Sequence, residues 1–441
     1  MTQEEALKIL FTGQNVFLTG AAGTGKTHVL NQYIDYLKEH NIPVAITAST
    51  GIAATHMDGR TIHSWSGIAL RRSLNKKDLD KLYYNDFTRE RIIGARALVI
   101  DEISMLDATI LSLLDQVCKF VRRKPQPFGG LQLVLCGDFF QLPPVPTRGE
   151  PPPKYAFRSS SWLTANLQIC YLDKQWRQED PRFLSMLNSI RNSEVNKETI
   201  ETLKTRLNKP IEGLARVTKL YSHRDDVDSI NDRELVILES KPHFYSMLAG
   251  GDVELISALK SACLAPEQLE LKKGALVMFV RNNQGEGYVN GTLGMVVDFE
   301  NEGPEFPIVE TKNGNRITAR SIRWNVENEE GEVLAYIDQV PLRLAWAITI
   351  HKSQGMTIDA AEINLSKAFA HGMGYVALSR VRTLEGIKLL GINSTALRVS
   401  PEVTSFDATL RDGSREAKVE LLENDSALAA RLQEDFLIRG A

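Results

Sequence analysis

Residues 20–27 read Gly-Ala-Ala-Gly-Thr-Gly-Lys-Thr, a spacing suited to gripping phosphates. Gly20, Gly23 and Gly25 let backbone N–H groups turn inward onto phosphate oxygens, with Ala21, Ala22 and Thr24 completing the loop. A helix opening at this point would add the positive end of its dipole near Thr27 and His28. Lys26 is placed to reach the β- and γ-phosphates, and the Thr27 hydroxyl to ligate Mg²⁺. The loop implies a nucleoside triphosphate and leaves open what its hydrolysis drives.

Asp101 and Glu102 close the apolar run Ala97-Leu-Val-Ile100. At the tip of a buried strand, Asp101 would hold Mg²⁺ and Glu102 would deprotonate the attacking water. A kinase would use the aspartate as well; the adjacent glutamate favours hydrolysis by water. Gln141, in Cys136-Gly-Asp-Phe-Phe-Gln-Leu-Pro-Pro144, could contact a γ-phosphate and report its loss. Phe139, Phe140 and the Pro143–Pro144 pair offer apolar and stacking surface beside it, with Phe140, Pro143 and Val145 as candidate DNA contacts, although the same string also fits an ordinary aromatic turn. Arg177 and Arg380 are candidate arginine fingers for the charge on a transferring phosphoryl group. Spacing alone does not set them apart from the other arginines. A protein that holds a single nucleic-acid strand needs hydroxyls for phosphates and rings for bases. Three segments offer that mixture: Thr50 and Gly51; Thr61, His63, Ser64 and Trp65; and His351-Lys352-Ser353 with Thr357, a turn whose hydroxyls and N–H groups could grip phosphates of nucleic acid or of nucleotide, with Gly355 as a nucleotide contact. Each also fits a capped turn.

The elements that must position these groups follow from periodicity. Apolar runs at 16–19, 44–48, 97–101, 131–136 and 168–172 alternate with helical patterns at 27–39, 108–121 and 181–192. That alternation predicts a parallel sheet covered on both faces, with nucleotide at the carboxyl ends of its strands. The rhythm breaks at 58–90, a polar, basic stretch with Trp65, Tyr83 and Tyr84 that reads as an inserted subdomain. Residues 143–153 form a Pro-rich surface loop. A second αβ lobe is expected from about residue 200, with strands at 217–222 and 361–365 and a helix opening at His351. Within it, short β-type runs at 277–280, 294–299, 308–311, 316–319 and 333–337 are separated by turns such as Asn290-Gly291 and Asn313-Gly314. They predict a small inserted antiparallel barrel. The tail after Pro401 is helical in pattern and carries no legible chemistry.

A chain of 441 residues should hold two or more domains. Its net charge of −3 gives no whole-protein footprint for nucleic acid, so any such binding needs a local groove. Cys118, Cys136, Cys170 and Cys263 are widely spaced, which suits free thiols in a reducing compartment and argues against a zinc site. No apolar run reaches membrane-spanning length and the first residues are acidic, so neither a signal peptide nor a membrane anchor is expected.

In order along the chain, Gly20–Thr27, Ala48-Ser-Thr-Gly-Ile-Ala-Ala54, Asp101-Glu-Ile-Ser-Met105, Gly137-Asp-Phe-Phe-Gln-Leu-Pro-Pro-Val145, Gln175-Trp-Arg-Gln178, His351–Thr357 and Tyr375-Val-Ala-Leu-Ser-Arg380 resemble the superfamily-one helicases. Among these the match is to the Pif (petite integration frequency) family, related to RecD. The resemblance implies an α/β fold of two RecA-like P-loop lobes. Lobe one would be 1–57 and 91–195 with a wedge subdomain at 58–90. Lobe two would be 196–273 and 338–400, with a Src-homology-three-like barrel at 274–337 and a helical tail at 401–441. It implies ATP and Mg²⁺ as cofactors, Gln3 as the adenine contact, Arg177 and Arg380 as γ-phosphate contacts and Gln141 as the coupling glutamine. The partners implied are single-stranded and forked duplex DNA, engaged by a monomer without a membrane. A bacterial or phage enzyme would be cytoplasmic, a eukaryotic one nuclear or mitochondrial. The activity implied is 5′-to-3′ unwinding, extending to G-quadruplexes and RNA–DNA hybrids. Two rivals remain on the residues alone. One is a DNA-stimulated ATPase acting as a clamp or switch without strand separation; the other is a small-molecule P-loop kinase.

Overall fold

The computed structural model describes residues 1–57, 59–69, 71–146, 151–211, 217–300, 303–311, 313–327, 332–424 and 427–438. Two compact units emerge: Met1–Ile211 with Thr357–Ala360 and Leu365–Ala441, and Glu212–Met356 with Ala361–Asn364. Of the 338–400 stretch assigned above to lobe two, 338–356 and 361–364 lie in the second unit, while 357–360 and 365–400, with Arg380, group with the phosphate loop.

In the first unit, β1 (Val16–Gly20), β2 (Val44–Ala48), β3 (Arg60–Thr61), β4 (Ala97–Asp101), β5 (Gln132–Cys136) and β6 (Gln168–Leu172) form one parallel sheet. Its order is β3-β2-β4-β5-β1-β6. Strands β1, β4 and β5 are buried at every position, as expected of continuous apolar runs covered on both faces. The register sets Ala48 beside Asp101 and Gly20 beside Leu172, so the ends of these strands share one edge.

Helices α1 (Gln3–Phe11) and α2 (Lys26–Glu39) cover part of this sheet. Ile9, Leu10, Val29, Leu30 and Tyr33 lie in one apolar cluster with Val16, Leu18 and Val134. The 58–90 stretch holds the short helix α4 (Ile62–Ser66), then α5 (Lys76–Tyr84) and α6 (Asp86–Gly94), preceded by α3 (Gly51–His56). Asn75 and Asn85 cap α5 and α6. Then come α7 (Ala108–Arg122), α8 (Ser160–Thr164), α9 (Pro181–Arg191) and α10 (Lys197–Lys204). Residues 147–150 of the Pro-rich loop lie outside the described residues.

In the second unit, β7 (Thr218–Tyr221) pairs in parallel with Ala347–Thr349 and with Ala361–Leu365. Helices α11 (Arg224–Ile237) and α12 (Val253–Ala262) also belong to this unit. Four of the expected short β runs appear as Leu276–Phe279, Leu293–Phe299, Pro307–Thr311 and Arg316–Thr318. They join Leu342–Leu344 in a five-stranded antiparallel sheet. Its buried side includes Val277, Phe279, Val296, Val309, Ile317 and Leu342. The fifth run differs. Val333–Gln339 leaves that sheet and pairs with Ile322–Glu327 and Leu248–Gly251. Gly250 and Gly251 make this possible, because a Cβ at Gly250 would lie 2.7 Å from the Tyr336 ring and one at Gly251 would strike the Leu334 carbonyl.

The helix expected from His351 does not form. Residues 350–355, following the strand Ala347–Thr349, are successive turns held by Ser353 N–H to Thr349 O (3.1 Å) and Met356 N–H to Ser353 O (3.0 Å). Gly355 at φ +80° ends the turn in a left-handed conformation that does not continue a right-handed helix. The next helix is α13 (Met373–Ser379), followed by α14 (Pro401–Lys418), a π turn at Val419–Glu423 and α15 (Leu428–Ile438), all in the first unit. The tail closes the apolar cluster beneath α1 and α2 through Ala417, Leu421, Leu432 and Phe436. Among the described residues no helix is long and apolar enough to cross a membrane.

Candidate active site

The phosphate loop runs from β1 into α2, with Gly23 and Gly25 both at φ +83°. A Cβ at Gly25 would collide with the Gln3 amide, and one at Gly23 would lie 2.7 Å from Arg177 Cβ. Gln3, on the first turn of α1, donates to Thr24 O at 3.0 Å. The Lys26 ammonium donates to Gly20 O (2.9 Å) and Ala21 O (3.0 Å), carbonyls that an incoming phosphate would replace. Thr27 and His28 are exposed.

Asp101 ends β4, buried, and accepts the Glu102 N–H at 2.8 Å. Burial and the neighbouring Glu102 push its carboxyl up to about 6; a divalent cation would reverse that direction. Glu102 has φ +51°, an uncommon conformation for a non-glycine residue that tends to mark functional turns. Ser49 Oγ and Ser49 N–H brace it by donating to Glu102 O (2.7 Å) and Asp101 O (3.1 Å). The Asp101 carboxylate and the Thr27 hydroxyl are hard oxygen donors of the kind Mg²⁺ takes alongside nucleotide phosphates.

Gln141 is buried after β5, and its Oε1 has no hydrogen-bond partner among the described residues. Such an orphaned acceptor costs free energy unless a ligand or water meets it. Arg177 donates to Ser379 O at 3.0 Å. Burial and then Arg380 push its guanidinium down to about 9, so it stays charged at pH 7. Arg380 is 2% exposed and donates to Val376 O and Ser379 Oγ, each at 3.1 Å. Burial lowers its pKa while Glu102 raises it. The structure therefore gathers Gln3, Gly20–Thr27, Asp101, Glu102, Gln141, Arg177 and Arg380 in the first unit.

The expected strand-binding residues divide. Thr50 Oγ accepts from Ala53 N–H and Thr61 Oγ from Ser64 N–H, so both hydroxyls cap helices. His63 is half-buried, Ser64 exposed, Pro143 half-buried and Val145 exposed; Gly51 opens α3. Burial lowers the pKa of both His63 and His351, leaving them neutral hydrogen-bonding groups at pH 7. Three expectations need correction. The Trp65 and Phe140 rings, each 3% exposed, have no face for a base; Phe140 lies under the Arg191 guanidinium at 4.1 Å. Ser353 is fully buried, with its hydroxyl donated to Ile350 O at 2.8 Å. In each case an aromatic or hydroxyl group suited to nucleic acid serves the core, where burial is worth more. His351, Lys352 and Gly355 lie in the second unit and Thr357 in the first. Burial, then Arg343 and Arg224, push Lys352 down to about 8.

Several site residues escape sequence reading. Tyr375 gives its hydroxyl oxygen to Ala22 N–H at 2.8 Å and donates to Asp138 at 3.3 Å. Asp138 pairs with Arg191 at 3.1 Å. Gln178 donates to Ser379 O and Val381 O. Asp138, Tyr375 and Gln178 sit inside the quoted strings, the only signal that could have found them; Arg191 had none.

Residues 4–201 match the PIF1-like helicase family, and residues 254–299 match the 2B domain of the DNA helicase Pif1. The chain is 43% identical to the ATP-dependent DNA helicase Pif1 of a Psychrobacter species, covering 99% of this chain and 75% of that one. It is 39% identical to human ATP-dependent DNA helicase PIF1, over 97% of this chain and 66% of the relative. Its fold is similar to the crystal structure of Candida albicans Pif1, with a TM-score of 0.83 and 34% identity over 92% of this chain and 98% of the other. The Bacteroides Pif1 structure with ADP-AlF3 and single-stranded DNA gives a TM-score of 0.70 and 31% identity, covering 91% and 94%.

Proposed function

Because this chain belongs to the Pif1-like DNA helicases, we propose that it hydrolyses ATP to move 5′ to 3′ along single-stranded DNA and to open the duplex ahead. The observation that supports the ATPase half is the electrostatic proximity of Asp101 to Lys26 and of Glu102 to Asp101, Arg177 and Arg380, within a unit that also holds the buried Gln141. The relative solved with ADP-AlF3 and single-stranded DNA supports the nucleic-acid half.

The loop N–H groups and Lys26 hold the phosphates, and Gln3 holds the base end. Glu102 accepts the proton of the attacking water. Arg177 and Arg380 stabilise the charge that spreads over the γ-phosphoryl oxygens. Thr27 and Asp101 would hold Mg²⁺, which when bound would neutralise phosphate charge. Gln141 passes the loss of the γ-phosphate to the segment that continues into Pro143 and Val145. Each unit carries its own strand contacts: Thr50, Gly51, Thr61, His63, Ser64, Pro143, Val145 and Thr357 in the first, His351 and Lys352 in the second. Alternate tightening of those grips moves a monomeric enzyme along the strand. Forked duplexes, G-quadruplexes and RNA–DNA hybrids are its structured substrates.

The test is unwinding of duplexes bearing a 5′ or a 3′ single-stranded tail, with Mg²⁺ and ATP. Preference for the 5′ tail is expected. Faster unwinding from the 3′ tail refutes the polarity, and DNA-stimulated hydrolysis without unwinding from either tail makes the protein a clamp.

A further inference from the structure

Helix α14 bears none of the motifs above, yet it sends a carboxylate toward the phosphate loop. Asp407, 9% exposed, accepts the Tyr171 hydroxyl at 2.9 Å and Arg411 Nε at 2.7 Å. Arg411 also donates to the Tyr171 oxygen at 2.8 Å. On its inner side, Asp407 Oδ1 lies 3.7 Å from a nitrogen of Arg191, and the same nitrogen donates to Asp138 at 3.1 Å. Asp138, fully buried, accepts the Tyr375 hydroxyl, whose oxygen accepts Ala22 N–H. Hydrogen bonds and one 3.7 Å charge contact link the tail to the phosphate loop.

Each link constrains the next. The Tyr375 hydroxyl has one hydrogen, and Asp138 takes it, so a lone pair faces Ala22 N–H. Arg191 fixes which way the Asp138 carboxylate points. Burial alone would push the Arg191 guanidinium down, but Asp138, with Tyr171, Tyr375 and Asp407, outweighs it and holds the pKa well above the ordinary value. Asp138 and Arg191 pair in this interior and Asp407 joins them from the tail side, so removing Asp138 would leave the buried Arg191 cation without its nearest counter-charge.

Tyr375 lies on α13, the helix that leads into Arg380. That helix is pinned again at its other end, where Ser379 O accepts from Arg177 and Gln178. Its first turn is equally confined, since a Cβ at Gly372 would lie 2.5 Å from Gln141 O. A shift of Tyr375 would therefore displace Arg380 relative to the loop.

We propose that Tyr375, oriented through Asp138 and Arg191 by Asp407 of the tail, is a positioning residue for ATP turnover that keeps the phosphate loop aligned with the helix bearing Arg380. This rests on the assignment of Gly20–Thr27 and Arg380 to ATP hydrolysis. The experiment compares Tyr375→Phe, Asp407→Asn and their double variant, reading kcat and KM for ATP at saturating single-stranded DNA together with the melting temperature. Each single variant should lower kcat about tenfold with KM changed less than about threefold, and the double should be no worse than the worse single, because both cut one path. Arg415→Ala, on the exposed side of α14, should leave kcat unchanged. If Asp407→Asn alone fails to fold, the paired change Asp407→Asn with Arg411→Gln keeps the charges balanced and is assayed in its place. Unchanged kcat in folded variants overturns the proposal, as does a double variant whose losses multiply. Wild-type hydrolysis stimulated by DNA and abolished by Lys26→Ala stands apart from these outcomes; its absence would remove the ATPase reading itself.

Discussion

Lys26 and Glu102 divide the work of one hydrolytic step, and their variants should separate it. Lys26→Ala loses the cation that now rests on Gly20 O and Ala21 O. ATP hydrolysis should fall roughly a hundredfold or more, with unwinding lost and some DNA affinity retained; unimpaired unwinding would sink the assignment. Glu102→Gln should bind ATP and turn it over very slowly, measured as trapped nucleotide in a single-turnover assay; retained turnover would move the base elsewhere. Gly25→Ala asks a different question. Its φ of +83° and the Gln3 amide above it leave no room for a methyl group, so nucleotide affinity should fall at least about tenfold at a stability cost of about 1 kcal/mol. Lys352 answers to pH. Its free-state pKa of about 8 lies below the ordinary lysine value, so the charged form is penalised in the folded protein and the penalty is lifted as pH rises from 8 toward 10.5. A bound phosphate favours the charged form. DNA affinity should therefore hold below pH 8 and decline above it, by roughly tenfold per pH unit at most. Fluorescence anisotropy at pH 7, 8 and 9 reads this, and Lys352→Arg should flatten the profile.

The helices and strands were unequally legible. Strands β2, β4 and β6 and helices α2, α7 and α9 lie within a residue or so of the bounds expected from apolar periodicity, because a covered parallel sheet demands unbroken apolar runs. The turn at His351 defeats the same logic: Gly355 in a left-handed conformation stops a pattern that otherwise reads as helical. Val333–Gln339 defeats it differently, since alternation announces a strand but not its partner. Here Gly250 and Gly251 decide the pairing through close approach. The tail is the element whose importance was least visible. Phe436 of α15 packs on Gly13 and under Arg96, whose guanidinium also donates to Phe436 O at 2.6 Å. Phe436→Ala should cost about 1–3 kcal/mol of stability, seen as a lower melting temperature, and an unchanged melting temperature would show that α15 is not held there.

At the scale of the molecule, a net charge of −3 makes DNA binding a property of local contacts rather than of the overall field. Affinity for a single strand should nevertheless fall roughly ten- to a hundredfold between 50 and 200 mM salt, as expected for a few neutralised phosphates. A flat salt profile would count against phosphate contacts by Lys352 and its neighbours. The sequence by itself determined the phosphate loop, the acid pair after β4 and the family, because each is a local string whose spacing encodes its geometry. Only the tertiary structure decided that Trp65, Phe140 and Ser353 serve the core, since burial depends on what packs from elsewhere in the chain. Only the tertiary structure, too, brought Asp407 through Arg191 and Asp138 to Tyr375 and Ala22. Three charges separated so widely in sequence have no local pattern to betray them, and only the folded interior brings them together.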